Sequence, residues 1–86
     1  MNFNFPRTRF VDENDIVKQI QHMSSEQVEI EQDLHNPDIN ILAMEIMDKY
    51  HSCETALWIL QEKYGINLNE LQRAVERKNH ARNYYS

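Results

Sequence analysis

Glycine, cysteine and proline are scarce in this chain, and their scarcity excludes several classes of site and fold. The 86 residues include one Gly, one Cys, one Trp and two Pro. A single cysteine, Cys53, cannot form an internal disulfide. A single glycine cannot build a glycine-rich loop around a phosphate group. With so few helix breakers and no alternation of β-branched residues, the sequence favours one all-α domain.

Long apolar runs are also missing. No run approaches the ~18 residues needed to cross a bilayer, and the first eleven residues lack the apolar segment of a signal peptide. Together with the single cysteine, these absences predict a protein of the reducing cytoplasm without a membrane partner. The net charge of −5 argues against general binding to the nucleic-acid backbone.

The chain is predicted to form an extended arm and three helices. The arm covers residues 1–11 and a single helical domain covers 12–86, with helices at about 12–34, 37–64 and 68–83. The expected N-caps are Asp12 or Asn14 for the first helix, Asn36 followed by Pro37 for the second, and Asn67 for the third. Gly65 is expected to end the second helix in the left-handed conformation. The arm carries Phe3, Phe5 and Phe10, which need an apolar surface to cover them.

Each of the two longer helices carries two stripes of side chains. In the second helix the predicted core stripe consists of Ile39, Leu42, Ile46, Tyr50, Cys53, Leu57, Leu60 and Tyr64. A neighbouring stripe consists of Ile41, Glu45, Asp48, Ser52, Thr55 and Ile59, and indicates a contact face with a polar pocket inside it. In the first helix the predicted core stripe is Ile16, Ile20, Met23, Ile30 and Leu34, beside a line of His22, Glu26, Glu29 and Asp33. Antiparallel packing of such helices predicts a four-helix-bundle-type core, completed by oligomerisation of the three-helix protomer.

Two acidic pairs are the most informative pattern. Glu26-x-x-Glu29 and Glu45-x-x-Asp48 each place two carboxylates on one helix face, and fifteen residues separate the pairs. If the helices run antiparallel, four carboxylates converge, and a hard cation such as Mg²⁺ relieves their repulsion. Mn²⁺ is the alternative ion. Glu29 or a neighbouring acid is a candidate general base. E-x-x-E is also common on solvated helices, so the spacing alone does not decide between a metal site and a plain surface.

The end of the chain is basic, whereas its middle is acidic. Asp12 to Glu54 contains eleven acids and two bases, and Leu71 to the C-terminus contains four bases and one acid. Lys78, Asn79 and Arg82 continue a line of apolar residues on the third helix, which predicts that they point inward and reach phosphate oxygens. The alternative is that these charges only complement the helix macrodipole.

With both acidic pairs and the basic end considered together, the chain resembles the MazG-like all-α nucleoside triphosphate pyrophosphohydrolases, in particular their small prophage-type branch. The similarity covers about residues 14–86 and depends on Glu26-Gln-Val-Glu29, Glu45-Ile-Met-Asp48, the segment from His51 to Asn67, and Lys78-Asn-x-x-Arg82. The chain departs from the family pattern at Ser25, Val28 and Asn83.

The resemblance implies a reaction and a set of roles. Glu26, Glu29, Glu45 and Asp48 would bind Mg²⁺, with Glu29 and Glu45 as the catalytic pair. Lys78 and Arg82 would hold phosphate, and Asn79 would contact phosphate or base. The reaction would convert a (d)NTP and water into a (d)NMP and pyrophosphate in a homodimer or homotetramer.

Other interpretations stay open at the level of sequence. The acidic face also suits a catalytically silent helical interaction module, or an acidic mimic of nucleic acid. Trp58 and Tyr50 are candidates for stacking on a base, although aromatic residues at helical spacing are more often core, and Trp58 also suits an oligomer contact. His22 suits a solvated position, and a di-iron site at Asp48-x-x-His51 lacks the matched second motif.

Overall fold

A computed structural model describes residues 1–85. These residues form four helices and no β-strand, so the predicted all-α class is confirmed. The helices are α1 (Phe10–Glu13), α2 (Ile16–Gln32), α3 (Ile39–Tyr64) and α4 (Leu68–Ala81). Within residues 1–85 no helix combines the length and apolar character that a membrane span requires.

The predicted first helix is in fact two helices. At Asn14 the backbone is extended, with φ −100° and ψ 142°, and α1 ends there. Asp15 then caps α2, because its carboxylate accepts a hydrogen bond from the Lys18 backbone N–H at 2.7 Å. The predicted caps Asp12 and Asn14 were therefore wrong. Asn14 is instead buried, and its Nδ2 donates to Gln19 Oε1 at 2.9 Å.

The other helix ends follow the sequence more closely. Asp38, not Asn36, caps α3 by accepting from the Asn40 N–H at 3.0 Å. Asn36 shapes the preceding turn, since its Oδ1 accepts from the Asp38 N–H at 2.9 Å. Gly65 ends α3 with φ 66°, as predicted. Asn67 caps α4 by accepting from the Glu70 N–H at 3.1 Å, which is also as predicted.

Helices α2 and α3 pack side by side and run antiparallel. Gln19 Nε2 donates to the Ser52 carbonyl at 3.0 Å, and Lys49 Nζ donates to Gln27 Oε1 at 2.6 Å. Thus the positions on α3 fall as those on α2 rise, as the turn between the helices requires. This helix pair forms the main packing surface of the protomer, and α1 packs on α3.

The N-terminal arm lies along the second half of α3. The Phe3 ring stacks on Trp58 with centroids 4.2 Å apart, and the Phe5 ring stacks on His51 at 4.5 Å. The buried Glu54 carboxylate accepts hydrogen bonds from the Asn4 N–H at 2.8 and 3.0 Å and from the Phe5 N–H at 2.8 Å. These contacts cover two of the three phenylalanines of the arm, and they give Glu54 partners in the interior.

The buried part of α3 lies in the second half of the neighbouring stripe and not in the predicted core stripe. Ser52, Thr55 and Ile59 are buried against α2, α1 and the arm. By contrast, 67% of Ile39 and 50% of Ile46 remain exposed, and none of the eight residues of the predicted core stripe is fully buried. The periodicity did not identify the inner face because the true core includes polar side chains, which hydrophobic patterning does not detect.

On α2 the same correction applies. Ile20 and Leu34, predicted as core, are about half exposed, whereas Gln19 and Glu26 are buried. A contact face that contains a polar pocket was expected on α3, and this expectation is confirmed. The interface between α2 and α3 therefore has a polar interior with apolar side chains outside it.

Helix α4 stands apart from the others. It makes no packing with α1, α2 or α3 comparable to that between α2 and α3, and its only buried residue is Leu68. Leu71 and Val75 are about half exposed. The prediction that this line points inward is therefore wrong for the single protomer, and α4 offers an unpaired amphipathic face.

Candidate functional site

The two acidic pairs face the same helix interface. Glu26 is buried and Glu45 is half-buried, while Glu29 and Asp48 are exposed at the margin. Glu45 lies near enough to Glu29 and Asp48 for their charges to raise its pKa. The antiparallel packing thus brings both predicted pairs into one acidic cluster.

Asp33 is a fifth member of this cluster. The Glu45 carboxyl shares a hydrogen bond with Asp33, and this bond is the largest cause that raises the pKa of Glu45 to about 7. Desolvation and the charges of Asp33, Glu29 and Asp48 add to the effect. The same hydrogen bond lowers the pKa of Asp33. Asp33 lies four residues after Glu29 on the acidic line of α2, and that spacing was the sequence signal for its place in the cluster.

Two buried carboxylate oxygens in the cluster have no hydrogen-bond donor among residues 1–85. They are Glu26 Oε1 and Glu45 Oε2. Buried polar atoms are normally satisfied, and an unsatisfied carboxylate oxygen is especially unfavourable. A cation that contacts these oxygens would satisfy them. The donor set consists of carboxylate oxygens, which Mg²⁺ and Mn²⁺ prefer.

The side chains do not form a closed metal site as they stand. Among residues 1–85, no group of three or more His, Cys, Asp or Glu side chains is arranged so that it could hold a metal ion. The cluster therefore supplies the right donors on the right helices, but the carboxylates would have to rotate inward to surround an ion.

A small cavity of about 160 Å³ joins the acidic pairs to the N-terminal arm. It contains one acid of each pair, Glu26 and Asp48, together with two histidines. The lining residues are Thr8, Phe10, Gln19, His22, Glu26, Asp48, His51, Ser52 and Thr55. Because Thr8 and Phe10 precede α2, the start of the chain forms one wall of the candidate site.

The arm is held in place beside this cavity by side-chain contacts. Thr8 Oγ1 and Thr55 Oγ1 are 3.1 Å apart, and His51 Nε2 lies 3.3 Å from the Pro6 carbonyl oxygen. Arg7 donates to Glu62 at 2.8 and 3.0 Å and to Asp12 at 2.7 and 3.1 Å. The composition of the arm indicated that it needed a surface, but no periodic pattern could say which one.

The predicted phosphate-binding residues lie elsewhere. Lys78 is exposed on α4, Asn79 is half-buried, and the Arg82 guanidinium lies 5.0 Å from the centroid of the Tyr84 ring. Because α4 does not pack on α2 or α3 to a comparable extent, the protomer does not bring these three residues to the acidic cluster. Lys18, which sequence reasoning did not select, lies one helical turn before His22 of the acidic cavity.

The remaining candidates have clear places. His22 is exposed, and its Nε2 is 3.6 Å from Glu26 Oε2. Trp58 is half-buried beneath Phe3, so its ring contacts the arm of the same protomer. Tyr50 contacts the Phe5 ring edge-on at 5.5 Å and bonds Asn4. Cys53 is half-buried, and burial raises the pKa of its thiol.

Comparison with known proteins adds no relative. No protein-family model matches the chain, and no curated protein or solved structure shows significant similarity to it. The resemblance drawn from the acidic and basic motifs therefore stays a hypothesis.

Chemically, the site combines carboxylates of two kinds. The pKa of Glu45 is raised to about 7, so it exchanges its proton near neutral pH, whereas the pKa of Asp33 is lowered. Two acids whose environments separate their pKa values are a common basis for acid and base roles. These groups are of the kinds that take part in cation binding and in proton exchange.

Proposed function

We propose that this protein is a Mg²⁺-dependent nucleoside triphosphate pyrophosphohydrolase, which converts a (d)NTP and water into a (d)NMP and pyrophosphate. The observation that carries the proposal is the convergence of two acidic pairs on one helix interface, where Glu26 Oε1 is buried without a donor among residues 1–85 and Glu45 has only the proton that it shares with Asp33. A buried carboxylate oxygen without a donor would be stabilised by a ligand that is itself cationic. The resemblance of the motifs to the MazG-like family supports the same conclusion.

The roles of the acidic residues follow from their positions. Glu26, Glu29, Glu45 and Asp48 would hold Mg²⁺, or Mn²⁺ as an alternative. When bound, the ion would neutralise phosphate charge and acidify the attacking water. Glu29, which is exposed at the margin, would accept a proton from that water, and Glu45 would lose its own proton as the ion binds.

The phosphate-binding roles of Lys78, Asn79 and Arg82 call for a second copy of the chain. In the protomer α4 is separate from the acidic cluster, and its apolar line is half exposed. In a homodimer or homotetramer, α4 would pack on the partner and bring its basic end to the partner's acids. This arrangement also completes the four-helix core that the protomer lacks.

Measurement of pyrophosphate release tests the proposal directly. A panel of NTPs and dNTPs is incubated with Mg²⁺, with Mn²⁺ or with chelator, and Glu45→Gln and Asp48→Asn variants are compared with the original chain. We expect metal-dependent release that both variants reduce by at least about 100-fold, as for the loss of a group that acts in the transition state. Glu31→Gln, an exposed α2 variant outside the acidic pairs, serves as the control.

A second candidate function is a catalytically silent interaction module. It is favoured by the many exposed apolar side chains of α2 and α3 and by the lack of a closed metal site among residues 1–85. Under this alternative, Mg²⁺ and nucleotide together leave the melting temperature unchanged, whereas the enzyme is stabilised by their coupled binding.

A further inference from the structure

A second cavity lies directly beside the acidic one. It has a volume of about 300 Å³ and is lined by Phe10, Glu13, Asn14, Lys18 and His22. Phe10 and His22 also line the acidic cavity, so these two rings form the partition between the two spaces. A ligand that fills both cavities would pass across these rings.

The joint between α1 and α2 builds this second cavity. Val11 is fully buried and anchors α1, while the adjacent Phe10 remains 40% exposed with its ring in the cavity wall. Asn14 is held from two sides, since its Nδ2 donates to Gln19 and its carbonyl accepts from Lys63 Nζ at 2.9 Å. Hydrogen bonds therefore fix the segment between α1 and α2 that lines this cavity.

The lining has the mixed chemistry of a small-molecule site. It offers an aromatic ring, a buried amide, an ammonium group and an imidazole within one concave surface, together with the Glu13 carboxylate, which Arg9 Nε approaches at 3.5 Å. Ligand sites are typically about 300–1,000 Å³ and combine apolar walls with a few polar groups. The acidic cavity, at about 160 Å³, is at most large enough for a hydrated ion and a few phosphate oxygens, since a water takes about 30 Å³.

We propose that the larger cavity is the nucleoside subsite: the base lies against the Phe10 ring, and the Lys18 ammonium meets the first phosphate. The rest of the phosphate chain passes His22 toward Glu26 and Asp48. This inference rests on the proposed function, and it adds an assignment that no motif supplied. It places the base beside the N-terminal arm and α1, at the opposite end of the chain from Asn79.

The physical reasons for each assignment are separate. An exposed phenylalanine ring in a cavity wall offers an offset or edge contact to a heteroaromatic base, worth a factor of about 3 to 10 in affinity. Lys18 is a flexible point charge suited to a phosphate oxygen. The acids beyond His22 repel phosphate by themselves, so Lys18 supplies the positive charge that a nucleotide needs before its metal-bound end is seated.

The first test uses the original chain and nucleoside monophosphates without metal. UMP and AMP are titrated into ¹⁵N-labelled protein, and backbone amide shifts are recorded. We expect the largest shifts at residues 10–22, with no comparable shifts on α4. Shifts confined to α4, or no saturable shift from either nucleotide, would overturn the subsite, and this experiment requires no hydrolysis.

The second test uses Phe10→Leu and Lys18→Gln, with Arg73→Gln as an exposed cation control on α4. Phe10→Leu keeps an apolar side chain but removes the ring. We expect it to raise the KM for nucleoside triphosphates about 3- to 10-fold without changing kcat or the use of inorganic tripolyphosphate, which has no base. Lys18→Gln should weaken both substrates about 10-fold, because it removes a phosphate contact.

The outcomes separate this proposal from the proposed function. Hydrolysis that is unaffected by both variants would reject the subsite and retain the enzyme. Monophosphate binding at residues 10–22 without hydrolysis of any nucleotide would retain the subsite and reject the enzyme. Melting temperatures of the variants show whether each one folds, and the titration of the original chain does not depend on them.

Discussion

At the scale of single residues, Glu45 is the best-defined chemical group of the site. It is half-buried, it shares a hydrogen bond with Asp33, and the charges of Glu29 and Asp48 lie nearby, so its pKa rises to about 7. An acid in such a place is partly protonated in the metal-free protein near neutral pH. It can then exchange its proton for a cation with little change in net charge around it.

This environment predicts how stability depends on pH. The pKa of Glu45 is raised from 4.5 to about 7, so its contribution to stability is fully present below about pH 4.5 and is lost as the pH rises through about 7. Asp33 acts in the opposite sense, because its pKa is lowered, and its contribution is lost only in acid. We expect the melting temperature of the metal-free protein to fall between about pH 5 and about pH 8.

Glu45→Gln provides the comparison. The new glutamine cannot ionise, so the melting temperature of this variant should fall less between about pH 5 and about pH 8 than that of the original chain. The Glu31→Gln variant should show the same fall as the original chain. Mg²⁺ should raise the melting temperature at about pH 8 and have little effect at about pH 5, where the proton occupies its place. A metal effect of equal size at both pH values would contradict this account of Glu45.

At the scale of elements, the arm and α3 behave as one unit because both the backbone and the side chains of the arm bind α3. Glu54 is 3% exposed and accepts the Asn4 and Phe5 N–H groups, whereas Glu62 binds Arg7 at the surface. Hydrogen bonds to a buried charge contribute more than an exposed ion pair. Substitution of each glutamate in turn therefore shows whether the buried contact or the exposed contact holds the arm on α3.

We predict that Glu54→Leu releases the arm and lowers the free energy of unfolding by about 2 kcal/mol or more. Hydrogen exchange at Asn4 and Phe5 should then approach the rate of an unprotected amide. Glu62→Gln should leave both amides protected and reduce stability much less. Equal loss of protection in the two variants would mean that the surface pair, and not Glu54, holds the arm.

The end of α3 provides a second prediction at this scale. Gly65 has φ 66°, and a Cβ built there meets nothing within 4 Å, so the effect of substitution comes from the backbone alone. Gly65→Ala should lower the free energy of unfolding by about 1 kcal/mol, measured by urea titration. Gly65→Asn should lower it less, since asparagine tolerates the left-handed region better. Equal losses would point to a cause other than φ.

Sequence reasoning succeeded at these elements where one residue decides the local structure. Gly65 and Asn67 were predicted correctly because a left-handed turn and an N-cap each depend on one side chain. Helix faces were predicted less well. The buried side of α2 and α3 includes Gln19 and Glu54, whose burial depends on partners distant in the chain, and a hydropathy period cannot supply such partners.

Only part of the candidate site could be predicted, because the rest depends on contacts between residues distant in the chain. The spacing of the two acidic pairs located one cluster on two antiparallel helices, which the structure brings together. The second cavity was not predictable, because it depends on the break at Asn14 and on the corner that Lys63 holds. The position of Lys78 and Arg82 away from the acids depends on the direction of α4, and their own spacing carries no information about that direction.

At the scale of the whole molecule, the protomer is more open than its length requires. Its radius of gyration is 14.9 Å, whereas a compact chain of this length has about 12 Å. Its accessible surface is 6521 Å², against about 5,400 Å² for a compact monomer of 10.4 kDa. The excess comes with exposed apolar residues on all four helices, and an oligomer would cover such a surface.

We therefore expect a homo-oligomer whose interface contains one stripe of α3, the exposed line that includes Ile39, Ile46 and Tyr50. Ile46→Asp should shift the mass measured by light scattering toward the monomer, because it places a charge on a half-exposed apolar position. Val28→Asp is the matched control, since Val28 is equally exposed but lies on the side of α2 away from α3. A monomer in the original chain, or equal effects of the two variants, would exclude this stripe as the interface.

The docking of the arm also has a consequence for the order in which the molecule can fold during synthesis. Residues 1–9 leave the ribosome before any of their partners, because Tyr50, Glu54, Trp58 and Glu62 follow about 50 residues later. The hairpin of α2 and α3 closes over a much shorter separation and can form earlier. This segment is therefore made earlier than α2 and α3, but it reaches its final place after they have paired.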